Sequence, residues 1–165
     1  MPRSRLVVSV LLVASAVNLA LMVPGGFVET RDFSAYPALV LGAFNVFLTV
    51  LGLGSLWLAY AIIRSGRGHV WSALAGVAFV AVYLLDLGRI FPVPPTPMSS
   101  LLATLEWIGT GLGAALAIAA LVLSRQAPGN ATGTAETGLS RPVVVGLGVL
   151  ALIIVAFATK SGMGI

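Results

Sequence analysis

Cysteine is absent from this chain, and histidine occurs once, as His69. Without a thiol there is no disulfide, no thiolate nucleophile and no cysteine-ligated metal or iron–sulfur centre. A single imidazole excludes any site that needs two from one chain. The sequence also lacks a P-loop and the GxGxxG, GxSxG, HExxH and CxxC patterns. Ser34 and Thr30 lie near Asp32 and Glu29 but have no histidine to activate them, so no hydrolase triad is supported. No cofactor is expected.

Charge is scarce too. Only 8% of the residues are charged and 59% are hydrophobic, with a mean hydropathy of +1.08. A soluble domain carries roughly 25% charged residues, so this composition excludes one. What fills the chain is five apolar runs: Leu6–Val23, Pro37–Ile63, Val70–Phe91, Ser99–Leu123 and Val143–Thr159. Each is about 17 to 27 residues long, enough to cross a hydrocarbon core of about 30 Å as a helix. Backbone groups in lipid must be satisfied internally, by helices or by a closed barrel. The runs are continuous rather than alternating in period two, which selects helices. The expected fold is therefore an all-α integral membrane protein. MPRSR followed by LVVSVLLVASA has the layout of a cleavable signal peptide. The apolar run continues through VNLALMV to Pro24, however, and is read as an uncleaved first span.

The few charges are sorted by side. With alternating spans, Arg3, Arg5, Arg64, Arg67, Arg125 and Arg141 fall on one face, and only Arg31, Arg89 and Lys160 on the other. Short loops rich in arginine stay cytoplasmic. The expectation is a multi-pass protein of the cell membrane with a cytoplasmic N-terminus and an extracytoplasmic C-terminus. A net charge of +4 could suggest nucleic acid in a soluble protein. Here the arginines flank spans and serve topology and anionic headgroups, so the expected partner is the lipid bilayer and not nucleic acid.

Connections divide the chain. RSGRGH is a tight cytoplasmic hairpin, PGGFVETRDFSAYP is long enough to fold back on the bundle, and the prolines of FPVPPTPMSS prevent a continuous helix. SRQAPGNATGTAETGLSR is low in complexity and reads as a flexible linker. Its Asn130-Ala131-Thr132 sequon falls on the cytoplasmic side and is read as chance. The expected organisation is a four-helix core over 1–124, a cytoplasmic linker over 125–142, and a peripheral fifth helix with a short outer tail over 143–165. VVVGLGVLALIIVAFAT has no strongly polar residue in its interior, which suits a lipid-facing helix.

Each core span carries one polar residue at a similar depth: Asn18, Asn45, Asp86 and Glu106. Counted from the span ends at 1.5 Å per residue, all four lie roughly 7 to 12 Å below the outer boundary. Arg89 is spaced to pair with Asp86 at i,i+3, and Glu29, Arg31 and Asp32 lie in the loop overhead as gating or outer-loop residues. A carboxylate in hydrocarbon costs on the order of 2.5–3.5 kcal/mol, so it faces the interior with a partner. One reading is an outer-leaflet pocket in which Asp86 and Glu106 accept a cation, proton or small polar ligand. Arg89 is then the counter-charge, and Asn18 and Asn45 are hydrogen-bonding walls. The other is a structural knot in which arginine neutralises one carboxylate and the asparagines join helices. Two carboxylates and one nearby arginine leave one carboxylate to be protonated, paired with Arg31, or paired with something outside the chain.

Small residues recur along Gly42, Asn45, Thr49, Gly52, Ser55 and Ala59 in the second span, along Gly109, Gly113 and Ala117 in the fourth, and at Ser72 and Gly76, then Tyr83 and Asp86, in the third. These rows read as helix packing rather than a pore lining. His69 reads as a hydrated boundary residue, and Trp57, Trp71 and Trp107 as interface or packing aromatics. Three functions stay open: a non-enzymatic module that binds or conducts a small ligand, ion or proton; an accessory subunit of a larger membrane complex; and a lipid-headgroup enzyme using Asp86 and Glu106 as an acid–base pair. A 165-residue bundle has little interior for a pore, so transport would call for a homo-oligomer.

Overall fold

A computed structural model describes residues 3–126 and 141–164. Among the described residues every regular element is an α-helix: α1 (Arg3–Leu21), α2 (Ala38–Ser65), α3 (His69–Leu87), α4 (Ser100–Gln126) and α5 (Arg141–Gly162). All five are long and apolar enough to cross a membrane, as a multi-pass membrane protein requires. Most of the linker expected over 125–142, with its sequon, lies outside the described residues.

Local sequence sets the helix ends. α1 stops ahead of Pro24, and α2 starts directly after Pro37. Gly66 takes the left-handed conformation (φ 68°) that closes α2, donating its N–H to the Ile62 carbonyl at 2.9 Å. The third helix ends earlier than the apolar run to Phe91 implies. Its last turn closes at Gly88, Arg89 adopts φ 52°, and the Ile90 N–H returns to the Leu85 carbonyl at 2.8 Å. The residue needed left-handed here is an arginine rather than a glycine, which hides the stop from a hydropathy reading.

α1 to α4 form a ring in chain order. α3 and α4 make the most extensive contact, α1 joins α2 to α4, and the α2–α3 contact is thin. α3 and α4 approach closely because glycines face each other. A Cβ at Gly76 would lie 2.7 Å from the Gly113 carbonyl oxygen, and one at Gly113 would lie 2.9 Å from that of Gly76. Phe79, Leu12, Ile62, Leu102 and Leu116 fill the centre. Among the described residues α5 contacts α2 alone of the helices, and most of its surface is open. Its attachment is not purely apolar, although the interior of its run carries no strongly polar residue. Asn45 Nδ2 donates to Thr159 Oγ1 at 3.0 Å, and the Phe33 N–H donates to the Gly162 carbonyl at 2.9 Å. Thr159 closes the apolar run, so its hydroxyl escapes a search for polar residues in the run's interior.

Candidate functional site

The loops after α1 and α3 meet at one end of the bundle. Gly25 (φ 82°) donates its N–H to the Glu29 carbonyl at 3.2 Å, which folds the first loop back on itself. A side chain at Gly25 would also collide with Ser161 of α5. The second loop is held to the first by the Val93 N–H, which donates to the Tyr36 hydroxyl at 2.7 Å. Edge-on contacts of Phe91 with Tyr36 and Phe44 pack beneath this crossing.

The folded loop carries Glu29 and Arg31 into the bundle end, where both are buried. Arg31 is chelated on two sides. Its Nε donates to Glu29 Oε1 at 3.0 Å, and its Nη2 to Glu29 Oε2 at 2.6 Å. Toward α3, Nη1 donates to Asp86 Oδ1 at 2.9 Å and Nη2 to Asp86 Oδ2 at 2.6 Å. Such bidentate pairs are among the strongest charge-assisted hydrogen bonds. Burial opposes the Arg31 charge, but the bonds to Asp86 and Glu29 outweigh it and hold its pKa above an already high ordinary value.

Glu106 arrives from α4 within hydrogen-bond reach of Asp86. It is 3% exposed, and no donor reaches its buried Oε2. Glu29 and Asp86 thus hold the one guanidinium between them and Glu106 stands beside Asp86, an excess of negative charge when all three are ionised. A cavity of about 60 Å³ lies alongside, lined by these four groups and by Phe33, Phe44, Tyr83, Leu41, Leu48 and Leu102 among others. A second cavity of about 140 Å³, between Arg89 and the proline loop, leads to the Arg31–Asp86 pair.

The other expected site residues divide. Asn45 lines the cavity while bonding α5. Asn18 is buried but does not line the cavity, donating instead to the Tyr83 hydroxyl at 3.3 Å and the Leu105 carbonyl at 3.1 Å. Asp32 is exposed, accepting from the Ser34 N–H at 2.8 Å and from Ser34 Oγ at 3.0 Å, and stands outside the cluster. Arg89 does not pair with Asp86. An i,i+3 contact needs both residues on one helix, and the left-handed turn at Arg89 ends α3 first, leaving its side chain exposed at the rim of the second cavity. Arg31 takes its place. Sequence reading missed the aromatic wall: Phe33 under the Arg31 guanidinium at 5.5 Å, Phe44, and Tyr83, which reads only as part of a packing row. Aromatics close in sequence to the buried charges, among them Phe33, Tyr36, Tyr83 and Phe91, were the available signal.

Fold and site define the class: a small helical protein with five membrane-length apolar helices and an arginine–carboxylate cluster buried at one end. The chain belongs to the family described as a domain of unknown function (DUF8051), whose model matches residues 4–135. That stretch takes in α1 to α4 and ends before α5 begins at Arg141. No curated protein and no solved structure matches the chain.

Proposed function

We propose that this protein is a non-enzymatic membrane module that binds a proton or small cation at Asp86 and Glu106, in a pocket facing the extracytoplasmic side. The orientation rests on the arginine distribution. An impermeant thiol reagent should label a cysteine placed at Thr30 and not one at Ser65 in intact cells, and the opposite pattern reverses it.

One observation carries the reading. Glu106 Oε2 is buried without a donor, and the carboxylate beside it already has both oxygens on Arg31. Two ionised carboxylates in contact offer only acceptors. A shared proton or small cation supplies what both lack, and buried polar groups without partners are rare. The cavity of about 60 Å³ is far smaller than the 300 Å³ or more typical of small-molecule sites, which weighs against chemistry on a lipid headgroup.

Infrared titration of the purified protein tests this. A carboxyl band that exchanges protons with the medium, responds to competing cations and disappears in Glu106→Gln is expected. An identical titration in wild type and Glu106→Gln, both folded, would refute the proposal.

A further inference from the structure

We infer that Arg31 is a tethered occupant of a site for small organic cations, of the guanidinium or ammonium class with a short apolar tail. The inference rests on the cation-binding reading above and names its ligand class. Three features of the pocket select that class. The recognition surface is flat: Glu29 and Asp86 present paired oxygens to opposite sides of one guanidinium, with Phe33 beneath it. Aromatic faces and carboxylates together favour organic cations over strongly hydrated ones. Among the described residues no His, Cys, Asp or Glu trio is grouped to hold a metal ion, and the paired oxygens lie instead along the edges of a planar cation.

The second feature is Glu106. Its Oε2 is buried and has no donor even with Arg31 in place. Arg31 therefore leaves acceptor capacity unused, and a guanidinium or ammonium ligand that is not tied to the loop can move its N–H groups toward it. The third is the cavity beside the cluster, whose lining includes Leu41, Leu48 and Leu102. At roughly 15 Å³ of this volume per water-sized group, its 60 Å³ holds about four such groups. That matches a butyl tail.

Arg31 is delivered by a loop, not a helix; the hydrogen bonds joining that loop to the second one are exposed, Val93 to Tyr36 and the Asp32 N–H to Thr96 Oγ1 at 3.4 Å, beside the Tyr36–Phe91 ring contact and the Phe33 bond to Gly162 of α5. A ligand entering from the second cavity meets Asp86 and displaces Arg31 with its loop.

The test uses the full chain in mild detergent, with guanidinium and n-butylguanidinium as probes and thermal stability as readout. In Arg31→Ala both probes should stabilise, n-butylguanidinium at a concentration lower by about two orders of magnitude, the effect of burying its four carbons. Wild type should respond to n-butylguanidinium at higher concentration, because Arg31 competes. Arg31→Ala combined with Asp86→Asn should not respond. Should Arg31→Ala fail to fold, Arg31→Gln replaces it, and recovery of folded Arg31→Ala protein only in n-butylguanidinium counts in favour. Equal potency of the two probes, a response that survives Asp86→Asn, or no response in wild type overturns the inference. If Glu106-dependent proton exchange persists while neither arginine variant responds, the proton site stands and the organic-cation site falls. Loss of both removes both.

Discussion

The two ends of the bundle treat arginine in opposite ways. At the α2–α3 end, Arg64 and Arg67 are exposed around a turn of three residues, Gly66 to Gly68. Among the described residues Arg64 reaches Tyr60, donating to its hydroxyl at 2.7 Å and lying over its ring. At the other end, Arg31 is buried between two carboxylates. Connection length makes the difference. Three residues have no slack to carry a side chain inward, so their charges stay in water, where they cost little. The loop over residues 22–37 has enough chain to fold back on Gly25 and deliver a cation together with one of its counter-charges. A charge buried this way is a constraint on the whole end, because each partner left alone would be an uncompensated ion.

The sharpest way to break this comparison is to remove one arginine from each end. Arg31→Ala should cost about 3–5 kcal/mol while Asp86 and Glu29 stay ionised. Arg64→Ala should stay within about 0.5 kcal/mol, as exposed substitutions do. Unfolding in mixed detergent measures both. Equal losses would mean that the Arg31 cluster is hydrated and no different from the surface arginines. The same experiment on Arg89→Ala belongs with the small effects, because Arg89 makes no salt bridge among the described residues.

α5 tests the comparison at intermediate strength. Its hydrogen-bonded attachments, Thr159 to Asn45 and Gly162 to Phe33, both lie toward the loop end. A double-mutant cycle of Asn45→Ala and Thr159→Val should give a coupling of about 0.6 kcal/mol, and no more than about 1.7 kcal/mol, the range for hydrogen bonds between membrane helices. Zero coupling would leave α5 held by apolar contact alone. A coupling as large as the Arg31 effect would make α5 part of the charged end rather than an attachment to it.

Apolar length alone exposed the helices, since runs of membrane length have few other uses. It placed the boundaries less well where the backbone rather than hydropathy ends the helix, as at Gly88 and Arg89. Asp86 and Glu106 stood out as carboxyls in apolar surroundings, and a proline-rich connection put them at one end. The partner of Asp86 was only partly legible, because Arg31 stood as one of three alternatives for a leftover carboxylate and not as the partner of Asp86. Sequence spacing offers Arg89 at i,i+3, whereas Arg31 is 55 positions away and reaches Asp86 only because a loop folds inward. Asn45 illustrates the same limit on a helix: its face was readable, but not that a hydroxyl of α5 would meet it.

The smallest expected effect lies one residue beyond the buried arginine. Asp32 is fully exposed, and the Ser34 backbone N–H, then the Ser34 hydroxyl, hold its carboxyl below the ordinary carboxylate range. A depressed folded-state pKa contributes stability that is complete above the unfolded value, about 3.9, and is lost as the pH falls through the lower folded value. Ser34→Ala keeps the backbone bond and removes the hydroxyl, so the Asp32 titration should move part of the way up toward its ordinary value. Stability at neutral pH should hardly change, because a solvated loop contact is screened and easily replaced by water. Carbon-detected NMR of the Asp32 carboxyl in detergent reads the titration directly. If Ser34→Ala instead destabilised the protein as strongly as Arg31→Ala, the line between buried and hydrated charge would not run between Arg31 and Asp32, and the inner cluster would have to include the Asp32 turn.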